Sequence, residues 1–158
     1  MQKKFTAGFV LTVGLILLGL ACGVVPALAQ SGLHTPKPGS AERKAIMDAL
    51  RVPVQRDLKM PVIFVVRHPE PEGYLRVKQG WAFVNAEFRH PNGDPMGPSY
   101  YGDAEGGLSA DACGLLHRVN GRWRVLVYNV GATDVEWTDW ERKYHAPAGL
   151  VPNQETNH

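Results

Sequence analysis

The sequence predicts an α+β domain: a short N-terminal helix, an antiparallel sheet of about four to five strands, and a C-terminal helix packed on the sheet. Three observations carry this reading. Apolar residues recur at helical spacing behind Ser40, β-branched and aromatic runs alternate with glycine-containing turns, and a capping string precedes an aromatic stripe near the C-terminus.

Ahead of the domain stands a different kind of segment. Lys3 and Lys4 precede an uncharged stretch from Phe5 to Val25, and Pro26-Ala27-Leu28-Ala29 follows. A basic end, an apolar span and small residues at −3 and −1 form a secretory signal, so residues 1–29 are expected to be cut between Ala29 and Gln30. The uncharged span is also long enough to remain as a membrane anchor, and Gly19-Leu20-Ala21-Cys22 resembles a bacterial lipobox, with Gly where an aliphatic residue is usual. The expected location is periplasmic or secreted, with membrane anchoring as the alternative.

Cleavage changes the totals. It leaves 129 of 158 residues, enough for one domain with a real core. The chain has 17 basic and 15 acidic residues, and two of the basic ones are Lys3 and Lys4, so the mature chain is formally neutral. No basic run longer than Arg142-Lys143 occurs, which argues against nucleic acid as a partner; a membrane would be reached only through an uncleaved or lipidated N-terminus. Cys22 leaves with the leader, so Cys113 is alone and no internal disulfide forms.

Residues 30–39 are polar and rich in Gly and Pro and are expected to be a flexible lead-in. Ser40 then caps a helix over about 41–51, with Ala45, Ile46, Ala49 and Leu50 on one face and Pro53 to stop or kink it. Pro61 to Val66 reads as a strand that ends in a Pro/Glu/Gly string containing His68. Tyr74–Val77 and Trp81–Phe88 form a hairpin about Lys78-Gln79-Gly80, with Trp81, Phe83 and Asn85 on one side and Ala82, Val84 and Ala86 on the other. Residues 90–110 are rich in Gly and Pro without sustained apolar pattern and read as a long loop, the best place for a binding surface.

Asn120-Gly121 between two apolar runs asks for a two-residue type I′ turn. That register pairs Arg118 with Trp123, His117 with Arg124, Leu116 with Val125, Leu115 with Leu126 and Cys113 with Tyr128. It sets Gly114, Leu116, Trp123, Val125 and Val127 on the more apolar face, and Cys113, Leu115, His117, Arg124, Leu126 and Tyr128 on a mixed one. Thr133 and Glu136 have capping-box spacing before a helix over 134–144, whose Trp137, Trp140 and Tyr144 should dock on the sheet. The domain is taken as 40–147, with 148–158 as a polar tail.

The candidate chemistry is sparse. Asp111, Cys113 and His117 share a strand face, but four residues of strand put Cys113 and His117 about 13 Å apart, too far for one metal or a Cys/His pair. Asp103, Glu105 and Asp111 lack the further ligands of a calcium loop. His68, His90 and His145 sit at or near prolines in turn-like settings, and no HExxH, GxSxG, CxxC or phosphate-cradling glycine motif occurs. No cofactor or metal is implied.

A helix, a run of antiparallel strands and a late hairpin reading Gly121-Arg122-Trp123-Arg124-Val125 resemble the cystatin-like and NTF2-like α+β folds, whose final strands often read Gly-x-Trp-x-Val. The resemblance covers residues 111–130 and the order of elements, and implies a curved sheet wrapped on a helix. Enzymes, inhibitors and binding modules all use that scaffold, so it does not select a function.

The leading expectation is a non-catalytic exported binding module for an unidentified protein or small-molecule ligand of the cell envelope, with Tyr100 and Tyr101 of the long loop as anchors. The alternatives are a small hydrolase or isomerase that uses His117 as base and Arg124 to hold an anion, and an immunity or inhibitor protein.

Overall fold

The first element of the computed structural model, α1, spans Ala41–Leu58, and the residues described are 32–66, 74–97, 109–132 and 136–152. The expected leader, the expected cleavage site at Ala29 and Gln30, and His68, Tyr100, Tyr101, Asp103, Glu105 and Thr133 lie outside those residues. Ser40 begins α1 by accepting a hydrogen bond from the backbone N–H of Arg43, 3.2 Å away. The expected stop at 51 is wrong: α1 runs through Pro53 for 18 residues.

A proline inside a helix removes one backbone bond and costs about 3 kcal/mol, so contacts beyond it must hold the last turns. They are present in the four residues that follow it. Val54 is fully buried against the sheet, the Gln55 side chain donates to the Val62 carbonyl, and Arg56 and Asp57 grip Tyr128. Tertiary packing thus overrides the local breaker.

The sheet is antiparallel and contains five strands: β1 (Ile63–Val65), β2 (Tyr74–Lys78), β3 (Trp81–Arg89), β4 (Asp111–Val119) and β5 (Arg122–Val130). The spatial order is β1, β3, β4, β5, and β2 pairs with β3 as well. β1 and β2 therefore lie end to end along the same partner. Val65 is opposite Glu87 and Tyr74 opposite Asn85, so the partner advances two residues while the chain advances nine. At the outer edge of β2, His34 exchanges both backbone hydrogen bonds with Val77, at 2.9 and 2.8 Å.

Both faces of the sheet carry a core. On one, Ile46, Met47, Leu50 and Val54 of α1 meet Ala82, Val84, Ala86 and Phe88 of β3 together with Leu116 and Trp123. On the other, Phe83, Cys113 and Leu115 meet Trp137, Trp140, Leu150 and Val151. The alternation expected along β3 is the one observed.

The β4–β5 hairpin follows the expected register only near its turn. Leu116 pairs with Val125, but Leu115 pairs with Val127 and Cys113 with Asn129, because a bulge leaves Leu126 as an extra residue. One extra residue exchanges the faces of everything beyond it. Val127 therefore joins Leu115 and the tryptophans, and Tyr128 turns to α1, the reverse of the expected placement of both.

The C-terminal helix, α2, is only Trp140–Tyr144, not 134–144. Glu136 does not serve as a helix-capping acid; its carboxylate accepts from the Asn129 side chain, and residues 136–139 form turns. Trp137 and Trp140 nonetheless pack on Phe83, with ring centroids 5.6 and 6.3 Å away. Residues 148–152 are not a polar tail. Leu150 is fully buried, Val151 nearly so, and Glu141 accepts the backbone N–H groups of Val151 (2.6 Å) and Gly149 (3.2 Å).

Candidate functional site at the turn end of the sheet

Two tight turns lie at the same end of the sheet. Gln79-Gly80 joins β2 to β3 and Asn120-Gly121 joins β4 to β5, and all four residues have φ between 50° and 79°. Asparagine and glycine tolerate that left-handed backbone, which is why a two-residue connection forms at Asn120-Gly121. Closing both hairpins there brings residues from distant parts of the chain into line.

Directly opposed residues in a ladder share a face. Lys78 is opposite Trp81, Trp81 opposite His117, and His117 opposite Arg124, so these four form one row across β2, β3, β4 and β5. Trp81 and His117 stack with centroids 4.3 Å apart and planes 23° from parallel. His117 is half-buried and Arg124 exposed. Lys78 donates from Nζ to the Ala148 carbonyl at 2.7 Å, tying the C-terminal segment to the end of the row.

Successive rows on the same face change character. The next holds Arg76, Phe83, Leu115 and Val127, the third Tyr74, Asn85, Cys113 and Asn129, and the fourth Glu87 and Asp111. The Arg76 guanidinium lies 5.3 Å from the centre of the Tyr74 ring. Charge therefore runs from cationic at the turns to acidic about 20 Å away at the strand rise. The acids at that far end have partners: Arg89 donates to both oxygens of Glu87 at 2.8 and 3.1 Å, and Asp111 accepts from Ser109.

Two sequence candidates, His117 and Arg124, are brought together as direct cross-strand neighbours. Cys113 is not part of their group. It lies two rows away, and burial pushes its thiol up to about 12, against the ionisation a nucleophile or metal ligand needs. Among the described residues no three of His, Cys, Asp and Glu are placed to hold a metal ion.

Sequence reasoning missed a second polar cluster, at the far end of α1. The Tyr128 hydroxyl donates to Asp57 at 2.6 Å and accepts from Arg56 at 2.8 Å. The Tyr128 hydrogen bond holds the Asp57 carboxyl below its ordinary range and raises the phenol. These residues are some 71 positions apart in the chain, and the bulge that turns Tyr128 toward α1 leaves no local trace in the sequence.

No protein-family model, curated protein or solved structure matches this chain.

Proposed function

We propose that this chain is an exported, non-catalytic binding module, periplasmic or secreted, that engages an anionic ligand through the Lys78–Trp81–His117–Arg124 row. The observation that carries the reading is the make-up of that row: two cations, an imidazole and an indole on one face, with no carboxylate in 74–86 or 112–132 to neutralise them. Arginine supplies a fork of donors suited to phosphate or carboxylate, and the stacked rings supply a flat apolar floor. A cystatin-like or NTF2-like scaffold, with one helix laid across a curved sheet, is the form this reading gives to the fold. Tyr100 and Tyr101, the anchors the sequence suggests, lie outside the described residues and are not part of this row.

The enzyme reading draws on one observation, the fixed His117 ring beneath Trp81. A general base is usually oriented by a hydrogen-bond acceptor, and His117 has no side-chain hydrogen bond among the described residues, which favours the binding role. Fluorescence titration with a soluble polyphosphate such as inositol hexakisphosphate tests the proposal. A saturable change in tryptophan emission is expected, weakened about fivefold by Arg124→Ser and suppressed by salt. Absence of any saturable response refutes it, and substrate turnover lost in His117→Gln would instead establish the hydrolase or isomerase reading.

A further inference from the structure

Resting on the anion-binding reading above, we propose that the turn end of the sheet is a docking surface for an anionic phospholipid bilayer, on which the domain stands with its two hairpin turns facing the headgroups. The leader reading and the linear charge pattern do not suggest this, because the cations are scattered. Pairing of the strands collects them. Arg76 and Lys78 come from β2, Arg118 from β4, and Arg122 and Arg124 from β5, all within a few residues of the two turns. Arg118, Arg122 and Arg124 are exposed, and none makes an ion pair among the described residues.

Charge alone would suit any polyanion, and two further features select a bilayer. The first is apolar. Val119, beside the Asn120-Gly121 turn, and Leu33, next to the His34–Val77 bridge, are among the large hydrophobic residues left exposed, at 44% and 49%. The antiparallel bridge brings Leu33 level with Lys78, so an aliphatic side chain flanks the cations at each side of this end. Aliphatic residues among Lys and Arg suit an interface where headgroups give way to acyl chains, and gain nothing from a soluble polymer.

The second feature is where the chain enters. The described residues begin at Gly32, and His34 is pinned to β2 one residue pair from Lys78. The uncharged span ends at Val25, so eight residues separate it from His34, and the nine steps between them reach at most about 30 Å when extended. The antiparallel bridge sets Leu33 and Gly32 toward the turn end, so the described chain leads in from the same end of the sheet as the cations. A domain tethered by an uncleaved leader therefore meets the membrane turn end first.

The test reports on the turn end directly, so that an N-terminal tether cannot produce a false positive. The full chain carrying Cys22→Ser and Val119→Cys is labelled at position 119 with an environment-sensitive dye; Cys113 is buried. It is then mixed with vesicles of phosphatidylcholine, alone or with phosphatidylglycerol. A blue shift with the phosphatidylglycerol vesicles only, reversed by salt, is the expected result. Adding Arg118→Ser, Arg122→Ser and Arg124→Ser should weaken the response about fivefold per cation, about a hundredfold together. All three are exposed, and unchanged circular dichroism will show that the fold survives.

An equal shift with both vesicle types, or none with either, overturns the proposal. A response to heparin without one to vesicles reassigns the pole to a polymeric anion and also overturns it. Binding of inositol hexakisphosphate without a vesicle response defeats the bilayer inference and leaves the anion-binding function standing; loss of both responses defeats both.

Discussion

Gly114→Ala places a methyl group where Leu50 of α1 lies against β4. A Cβ built at Gly114 would stand 2.7 Å from Leu50 Cδ1, 3.5 Å from Leu50 Cδ2 and 3.6 Å from the Val127 carbonyl oxygen. Carbon atoms settle at about 3.5 to 4.0 Å, so the first contact is short by about 1 Å. Leu50 is fully buried and cannot swing its methyl into solvent, so either it leaves its rotamer or α1 lifts. Overpacking of this kind costs about 1 to 3 kcal/mol, and the entropy that alanine removes from the unfolded chain returns about 0.4 to 1.

The net expectation is a loss of about 1 to 2 kcal/mol. For a domain of this size that lowers Tm by roughly 3 to 10 °C, readable by thermal denaturation followed by circular dichroism. Leu50→Ala alone should cost about 2 to 5 kcal/mol, and in the double variant the methyl added at position 114 partly fills the space that Leu50 vacates. The pair should therefore be less destabilised than the sum by about 1 kcal/mol or more. A neutral or stabilising Gly114→Ala, or an additive double variant, would refute the close approach of α1 to β4.

Cys113 should resist a thiol reagent at pH 8 in the folded protein and react at once after unfolding. Its folded thiol keeps its proton to about 12 whereas an exposed one ionises near 9.0, so its contribution to stability is intact below 9 and declines as pH rises from there toward 12; denaturation midpoints compared with Cys113→Ala measure the decline. Leu150→Ala should cost about 2 to 4 kcal/mol by urea denaturation, because Leu150 is fully buried beneath the aromatic layer; a neutral result would restore residues 148–152 to a solvated tail.

Much of the sheet was legible where a local chemical requirement fixed it. Asn120-Gly121 admits a two-residue turn, and that turn fixed each pair out to Leu116 and Val125. Legibility ended at the bulge because Leu115, Leu116, Val125, Leu126 and Val127 are all apolar. A change of face shows in a sequence only when polar and apolar residues alternate across it. The length of α1 was hidden for the opposite reason: Pro53 is a strong local signal, and the contacts that overrule it come from Val62 and Tyr128 elsewhere in the chain.

The candidate site was half legible for the same kind of reason. His117 and Arg124 were paired from the turn alone. Lys78 and Trp81 joined them only when β3 was laid against β4, a pairing between segments that residues 90–110 separate in the chain. A chain with a formal charge of only +2 and no long basic run can thus still carry a cationic end. Composition counts charges and pairing places them.

Leu126 splits β5 into two reading frames. The residues before it address α1 through Trp123 and Val125, and those after it address the same helix through Tyr128 and Val130, an odd rather than an even step away. Deleting this exposed leucine would remove little buried surface and would keep every pair of the ladder, because Leu116 stays opposite Val125 and Leu115 opposite Val127. Val127 to Val130 would keep their faces and Tyr128 its place beside Asp57, with only the kink of the bulge lost. In this strand the partner across the ladder, not the count along the chain, decides which way each side chain turns.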